Sequence, residues 1–168
     1  MSTKRLTLAA FFMALMIILS SSVFSIPVPG GHFYFNTILI FLVTLYFQPM
    51  EVVIIAGLGS FLGDFFFYPA PMFVTLVTHS LQVLVITLIL KNSRAPFLKT
   101  KVIAAFILGG IIDLLGYFLG RSFVYATPAY AILKLPFDGF AVILGAVVAY
   151  FVYYHTPFSK MMEKALKD

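Results

Sequence analysis

The sequence predicts an all-α, polytopic membrane protein: six transmembrane helices packed in one compact bundle over residues 1–168, with both termini cytoplasmic. Three observations predict it. Apolar residues make up 62% of the chain and charged residues 10%, at a mean hydropathy of +1.07, so too little polar surface exists to solvate a water-soluble globule. The apolar residues fall into six runs, roughly 5–26, 35–48, 51–67, 71–90, 102–124 and 136–155, set against the ~20 residues that a helical crossing needs. The basic residues separate by side. Lys4, Arg5, Lys91, Arg94, Lys99, Lys101, Lys160, Lys164 and Lys167 fall on one face, and Arg121 and Lys134 on the other, an imbalance that puts the termini on the cytoplasmic side.

Each run has a local justification. The first follows Lys4 and Arg5 as a signal peptide would, but Pro27, Val28, Pro29 and Gly30 offer no small-x-small cleavage site, so it reads as a retained helix. Gly30, Gly31, His32, Phe33, Tyr34, Phe35 and Asn36 then form an outward loop, flexible at its glycines and aromatic along its length, suited to close over a ligand. The second and third runs are short and meet at Phe47, Gln48, Pro49 and Met50, a turn that fits an antiparallel helical hairpin. Tyr68, Pro69, Ala70 and Pro71 divide the third from the fourth, and prolines there mark helix ends. The sixth run opens at Pro136, which puts Asp138 at a helix start, where it can act as a cap. No long internal repeat is visible, which argues against an inverted-repeat transporter.

Several chemistries are disfavoured. The chain has no cysteine, which excludes thiolate metal sites, disulfides and thiol catalysis. His32, His79 and His155 fit no zinc-binding pattern, and no P-loop or GxSxG motif occurs, so the chain is not expected to be an enzyme. A metal held by His79 and Asp113, or a nucleophile at Ser60, finds no supporting motif. No hydrophilic stretch is long enough for an ATPase domain, so any energy source lies in another chain. The pI near 9.5 reflects topology rather than nucleic acid.

The informative residues are polar ones among apolar neighbours, because an uncompensated charge in a bilayer faces a cavity, a partner charge or a ligand. Asp64 lies near the outer end of helix 3, after Gly57, Gly59, Ser60 and Gly63. His79 and Gln82, three apart, share a face of helix 4, and Asp113, Tyr117 and Arg121 recur every four residues as one stripe on helix 5. With Asn36 and Asp138 they gather in the outer half, while the inner half holds only Glu51. The site predicted from these residues comprises His32, Tyr34, Asn36, Asp64, His79, Gln82, Asp113, Tyr117, Arg121 and Asp138, with no metal. Structural roles compete at each position: an Asp113–Arg121 network through Tyr117, an Asp64 carboxylate reaching headgroup water, an Asp138 cap, and interhelical bonding by His79 and Gln82.

The stretch GHFYFNTILIFLVTLYFQPMEVVIIAGLGSFLGDFFFYPAPMFVTLVTHSLQ resembles the middle of the small membrane substrate-binding subunits, the S components, of energy-coupling factor (ECF) vitamin transporters. GGIIDLLGYFLGRSFVYATPAYAILKLPFDGFAVILGA resembles their fifth and sixth helices. The subgroup it resembles includes proteins assigned to hydroxymethylpyrimidine or vitamin B6, although Asp138 stands where such proteins often carry Asn. The resemblance implies a protein of a prokaryotic plasma membrane that captures a vitamin from outside. It implies docking on the membrane coupling subunit EcfT, driven by two cytoplasmic ABC ATPases that use ATP and Mg, and toppling to release the ligand inside. The chain itself then needs no cofactor. It also implies that small residues spaced A-x-x-x-A on helix 1, here Ala10 and Ala14, contact the coupling subunit, where packing within the bundle is the competing role.

Charge gives the ligand a direction. The predicted site holds three Asp against one Arg, so an anion such as pantothenate or folate is disfavoured, with Arg121 its anchor if it binds. A neutral or weakly basic heterocycle fits better: pyridoxine or another B6 form, then hydroxymethylpyrimidine, with pantothenate and riboflavin as alternatives. The rivals of other classes are a solitary transporter or channel and a six-helix membrane scaffold that binds nothing.

Overall fold

The computed structural model describes residues 3–21, 24–29, 31–91 and 97–166; Gly30, Arg94 and Lys167, used above for the loop and the topology, lie outside them. In chain order the described elements are α1 (Thr3–Leu19), β1 (Ser25–Val28), β2 (Gly31–Tyr34), α2 (Asn36–Val43), α3 (Pro49–Phe67), α4 (Met72–Lys91), α5 (Lys99–Tyr125), α6 (Pro128–His155) and α7 (Phe158–Leu166). Four of them, α3 to α6, are long and apolar enough to cross a membrane. Neither α1, with 17 residues, nor α2, with 8, reaches that length, so six crossings do not follow from helix length alone.

The first departure from expectation is at the end of α1. The helix stops at Leu19 rather than near residue 26, and the segment read as a flexible loop is an antiparallel β-hairpin that pairs Ser25 with Tyr34 and Val28 with Gly31. A two-stranded ribbon is all edge, so Pro27 fits it without breaking a central ladder. Gly31 has φ +133°, a conformation that L side chains rarely adopt, and a Cβ there would lie 3.3 Å from both Lys134 Cε and Tyr130 Oη. The hairpin therefore sits close against α6.

The turn between α2 and α3 is tied down by charge. Glu51 Oε2 accepts from the Gln48 N–H at 2.8 Å, and Arg5 holds the same carboxylate in a fork, Nε to Oε1 at 2.6 Å and Nη2 to Oε2 at 2.7 Å. This locks the start of α1 to the start of α3. Within α3, residues Val53–Leu58 form a π-helical turn, and a second one, Arg121–Tyr125, ends α5.

The last long helix begins earlier than the sequence reading placed it. Pro128 occupies the first turn, where its missing N–H costs nothing, and Thr127 Oγ1 accepts from the Tyr130 N–H at 3.3 Å. Pro136 thus lies inside α6, Asp138 does not cap it, and Lys134, counted above as an outward-side base between helices, is a buried helical residue.

Helix α3 packs between α1 and α4, α4 lies along α5, and α6 closes against α5 and α2. Glycine allows backbone to approach backbone at Gly145, where a Cβ would fall 2.9 Å from the Thr37 carbonyl carbon and oxygen of α2. The apolar core fills the end of the bundle away from the hairpin, around Phe12, Met16, Ile40 and Ile55 on one side and Phe41, Phe106, Leu90 and Val102 on the other. Phe41 and Phe106 rings meet there at 4.8 Å. Polar side chains collect at the opposite end.

Candidate functional site

At the hairpin end, the last turns of α3 and α5, the first turns of α2, α4 and α6, and strand β2 surround a cavity of about 290 Å³. Nine of the ten predicted residues line it: His32, Tyr34, Asn36, Asp64, His79, Asp113, Tyr117, Arg121 and Asp138. The tenth, Gln82, is fully buried one turn below His79. Its Oε1 lies 3.0 Å from His79 Nδ1, so it positions the imidazole rather than facing the cavity.

The floor is a hydrogen-bonded chain. Thr75 Oγ1 is 2.8 Å from Tyr117 Oη, which is 3.1 Å from His79 Nε2. His79 Nδ1 makes its hydrogen bond to Gln82 and also lies 3.2 Å from Asp113 Oδ1, a Coulombic contact outside hydrogen-bond geometry. Consequently Asp113 Oδ1 is buried with no hydrogen-bond partner among the described residues, and the same holds for Gln82 Nε2 and Ser60 Oγ. Such atoms are costly to leave unmatched in a low-dielectric interior. Asp64, also buried, flanks this floor from α3.

The rim carries the positive charge. Arg121 Nη1 donates to Asp138 Oδ2, and the guanidinium lies over the Tyr117 ring at 5.2 Å. Lys134 Nζ donates to Asp138 Oδ1 at 3.1 Å and to the His32 carbonyl of the hairpin at 2.8 Å. The structural pairing anticipated for Arg121 is therefore with Asp138, and Asp113 associates with His79 instead. The balance of three Asp against one Arg becomes three Asp against Arg121 and Lys134.

Aromatic rings make the walls: Phe33, Tyr34, Tyr68, Tyr125 and Tyr130. Burial, and then the charge of Asp64, push the Tyr34 phenol up to about 12, so it stays a neutral donor. Asn36 Nδ2 donates to Ser20 Oγ at 3.1 Å, which anchors the start of α2 to the end of α1. Sequence reasoning found Tyr34 but missed Lys134, Thr75 and the wall tyrosines Tyr68, Tyr125 and Tyr130. Thr75 stands four before His79 and Lys134 four before Asp138, so both share a helical face with a predicted residue, a signal available from spacing.

Among the described residues no group of three His, Asp or Glu side chains is placed to hold a metal ion. Polar groups of both signs and aromatic faces surround a concave, partly open and mostly apolar space, the form of a small-molecule site. Away from it, Ala10 and Ala14 are exposed on one side of α1 with Leu6, Phe11 and Ile18, and do not pack within the bundle.

Residues 1–157 match the family model described as ECF-type riboflavin transporter, S component. No curated protein matches the chain.

Proposed function

This chain belongs to the family of ECF-type riboflavin transporter S components, and we propose that, as the vitamin-capture subunit of such a transporter, it takes a single-ring vitamin, pyridoxine or another B6 form or else hydroxymethylpyrimidine. The observation that carries the choice is the cavity itself. Its volume of about 290 Å³ lies at the lower edge of the roughly 300 to 1,000 Å³ usual for small-molecule sites. One substituted ring fits within such a space, and the three fused rings and side chain of riboflavin demand considerably more of it. Asp113 and Asp64 at the floor offer acceptors for a ring N–H or amino group, and Tyr34, Tyr125 and Phe33 offer stacking faces. The family description favours riboflavin as the second reading.

In this reading the chain is one substrate-binding domain of the plasma membrane with six crossings, α1 and α2 with their flanking residues supplying two of them, and both termini are cytoplasmic. The hairpin end then faces outward and receives the vitamin. The exposed Ala10 and Ala14 face of α1 meets the membrane coupling subunit, since small residues permit close helix contact in lipid. Two ATPase subunits on the cytoplasmic side use ATP and Mg to drive the toppling that releases the cargo.

Calorimetric titration of the purified chain, stripped of co-purified ligand, with pyridoxine, pyridoxal, hydroxymethylpyrimidine, pantothenate, riboflavin and folate tests this. Nanomolar binding of a B6 form or hydroxymethylpyrimidine, about 12 kcal/mol, is the expected result. Riboflavin binding in their place rejects the single-ring cargo, and no binding by a folded, ligand-free chain rejects every cargo on that panel.

A further inference from the structure

The cavity has two poles of opposite sense, and both are built from buried, incompletely matched groups on one helix. At the floor, Asp113 is 6% exposed and its Oδ1 has no hydrogen-bond partner among the described residues. At the rim, Arg121 is 7% exposed, and Nη1 is the guanidinium nitrogen that binds Asp138. Among the described residues no hydrogen bond joins Nε or Nη2 to an acceptor, and neither is one of the buried unmatched atoms, so both are left accessible. A guanidinium has five N–H donors in a planar fork, and a buried one with donors to spare selects a planar, two-oxygen acceptor. Its carbon lies over the Tyr117 ring, 5.2 Å from the centroid.

The charges follow the same division. Around the rim, Arg121 and Lys134 share the single carboxylate of Asp138, which leaves one positive charge in excess. Around the floor, Asp64 and Asp113 stand against His79. Arg121 follows Asp113 by two helical turns, about 12 Å along the axis, and its side chain folds back over Tyr117, one turn earlier, which shortens the gap toward the width of one substituted ring.

The geometry points to a dipolar ligand: a single heterocycle that donates from a ring N–H or amino group to Asp113 and carries, across the ring, a carboxylate or other two-oxygen acceptor that engages the free edge of Arg121. This rests on the single-ring reading above and goes beyond its named cargoes, since pyridoxine and hydroxymethylpyrimidine carry no such acceptor. Arg121 is then a specificity residue that separates ring compounds by the substituent opposite their donor, and Asp138 sets its orientation.

A matched pair of probes tests it. Pyridoxine and 4-pyridoxate share a ring and a ring nitrogen and differ at the position opposite that nitrogen, hydroxymethyl in one and carboxylate in the other. Titrated against the full chain in detergent, 4-pyridoxate should bind about tenfold or more tighter than pyridoxine, the scale of one added charge-assisted fork. In Arg121→Gln that advantage should vanish while pyridoxine binding persists. In Arg121→Lys, which keeps the charge without the fork and guards against a misfolded first variant, it should shrink. Asp113→Asn should weaken both probes alike, because the donor pole is common to them. Equal or weaker binding of 4-pyridoxate by the unaltered chain, or an advantage that survives in both Arg121 variants, overturns the acceptor pole and leaves the B6 cargo standing. Binding of neither probe overturns the B6 cargo and this inference together.

Discussion

Replacing Lys134 by Met should unlatch the hairpin. Lys134 is 5% exposed and makes two polar contacts, to the His32 carbonyl at 2.8 Å and to Asp138 at 3.1 Å. Met keeps an unbranched chain of similar reach, so the packing of Gly31 against this side chain survives. Asp138 retains Arg121, and the loss specific to the hairpin is the single charge-assisted bond to His32, worth about 1.5 to 3 kcal/mol. At about 1.4 kcal/mol per factor of ten, opening of the hairpin should become roughly ten- to a hundredfold more frequent. Hydrogen exchange of the ligand-free chain in nanodiscs, read by mass spectrometry, reports this as faster exchange of the amides in β1 and β2, with peptides from α3 as the internal reference. Unchanged exchange in the hairpin would refute the latch. An equal acceleration across α3 and the hairpin would refute it too, since that pattern means general destabilisation.

Asp113→Asn should weaken binding of the cargo by about 1 to 3 kcal/mol in calorimetry, and unchanged affinity would remove Asp113 from the site. Gly145→Ala should lower the thermal midpoint, by about 1 to 3 kcal/mol of stability, because its Cβ meets the Thr37 backbone at 2.9 Å and a backbone cannot turn aside as a side chain can. Ala14→Leu should leave folding and ligand affinity unchanged but abolish uptake in vesicles containing the complete transporter, since Ala14 is exposed on α1; normal uptake would take that face out of the docking surface. For Tyr34, whose phenol is raised from 10.0 to about 12, the folded state holds its proton more tightly than the unfolded state. Its contribution is constant below about pH 10 and declines as pH rises toward 12, so chemical denaturation of Tyr34→Phe across that range should show a shallower fall in stability.

The site was more legible than the fold around it. A charged or hydrogen-bonding side chain in an apolar run has few tolerable places, so depth and four-residue spacing alone gathered Asp64, His79, Asp113, Tyr117 and Arg121 around one space. Which group partners which was not legible. Asp113 and Arg121 lie on one helix face, yet each finds its partner on another helix, His79 on α4 and Asp138 on α6. Helix ends were read less well. The first run was carried through Ser20, Ser21 and Ser22 to the apolar residues of the hairpin, although those serines follow directly on Leu19, where the helix ends. Pro136 drew the start of α6 inward, although Thr127 and Pro128 already form the capping pair at the true start. That one boundary hid Lys134, since a lysine read as lying between helices counts toward topology and one on a buried helix face counts toward the site.

The π-helical turn in α3 sets the angular phase of everything after it. Each residue of a regular helix advances about 100°, so one residue accommodated in the wider turn at Val53–Leu58 rotates the following segment by that angle relative to an uninterrupted rod. Asp64 reaches the cavity on that rotated segment. Winding this turn as regular α-helix with every residue kept would therefore swing Asp64 away from the cavity, whereas deleting one residue within the turn would leave its direction unchanged. Recognition at this site is written partly in a count of backbone units as well as in the identity of the side chains.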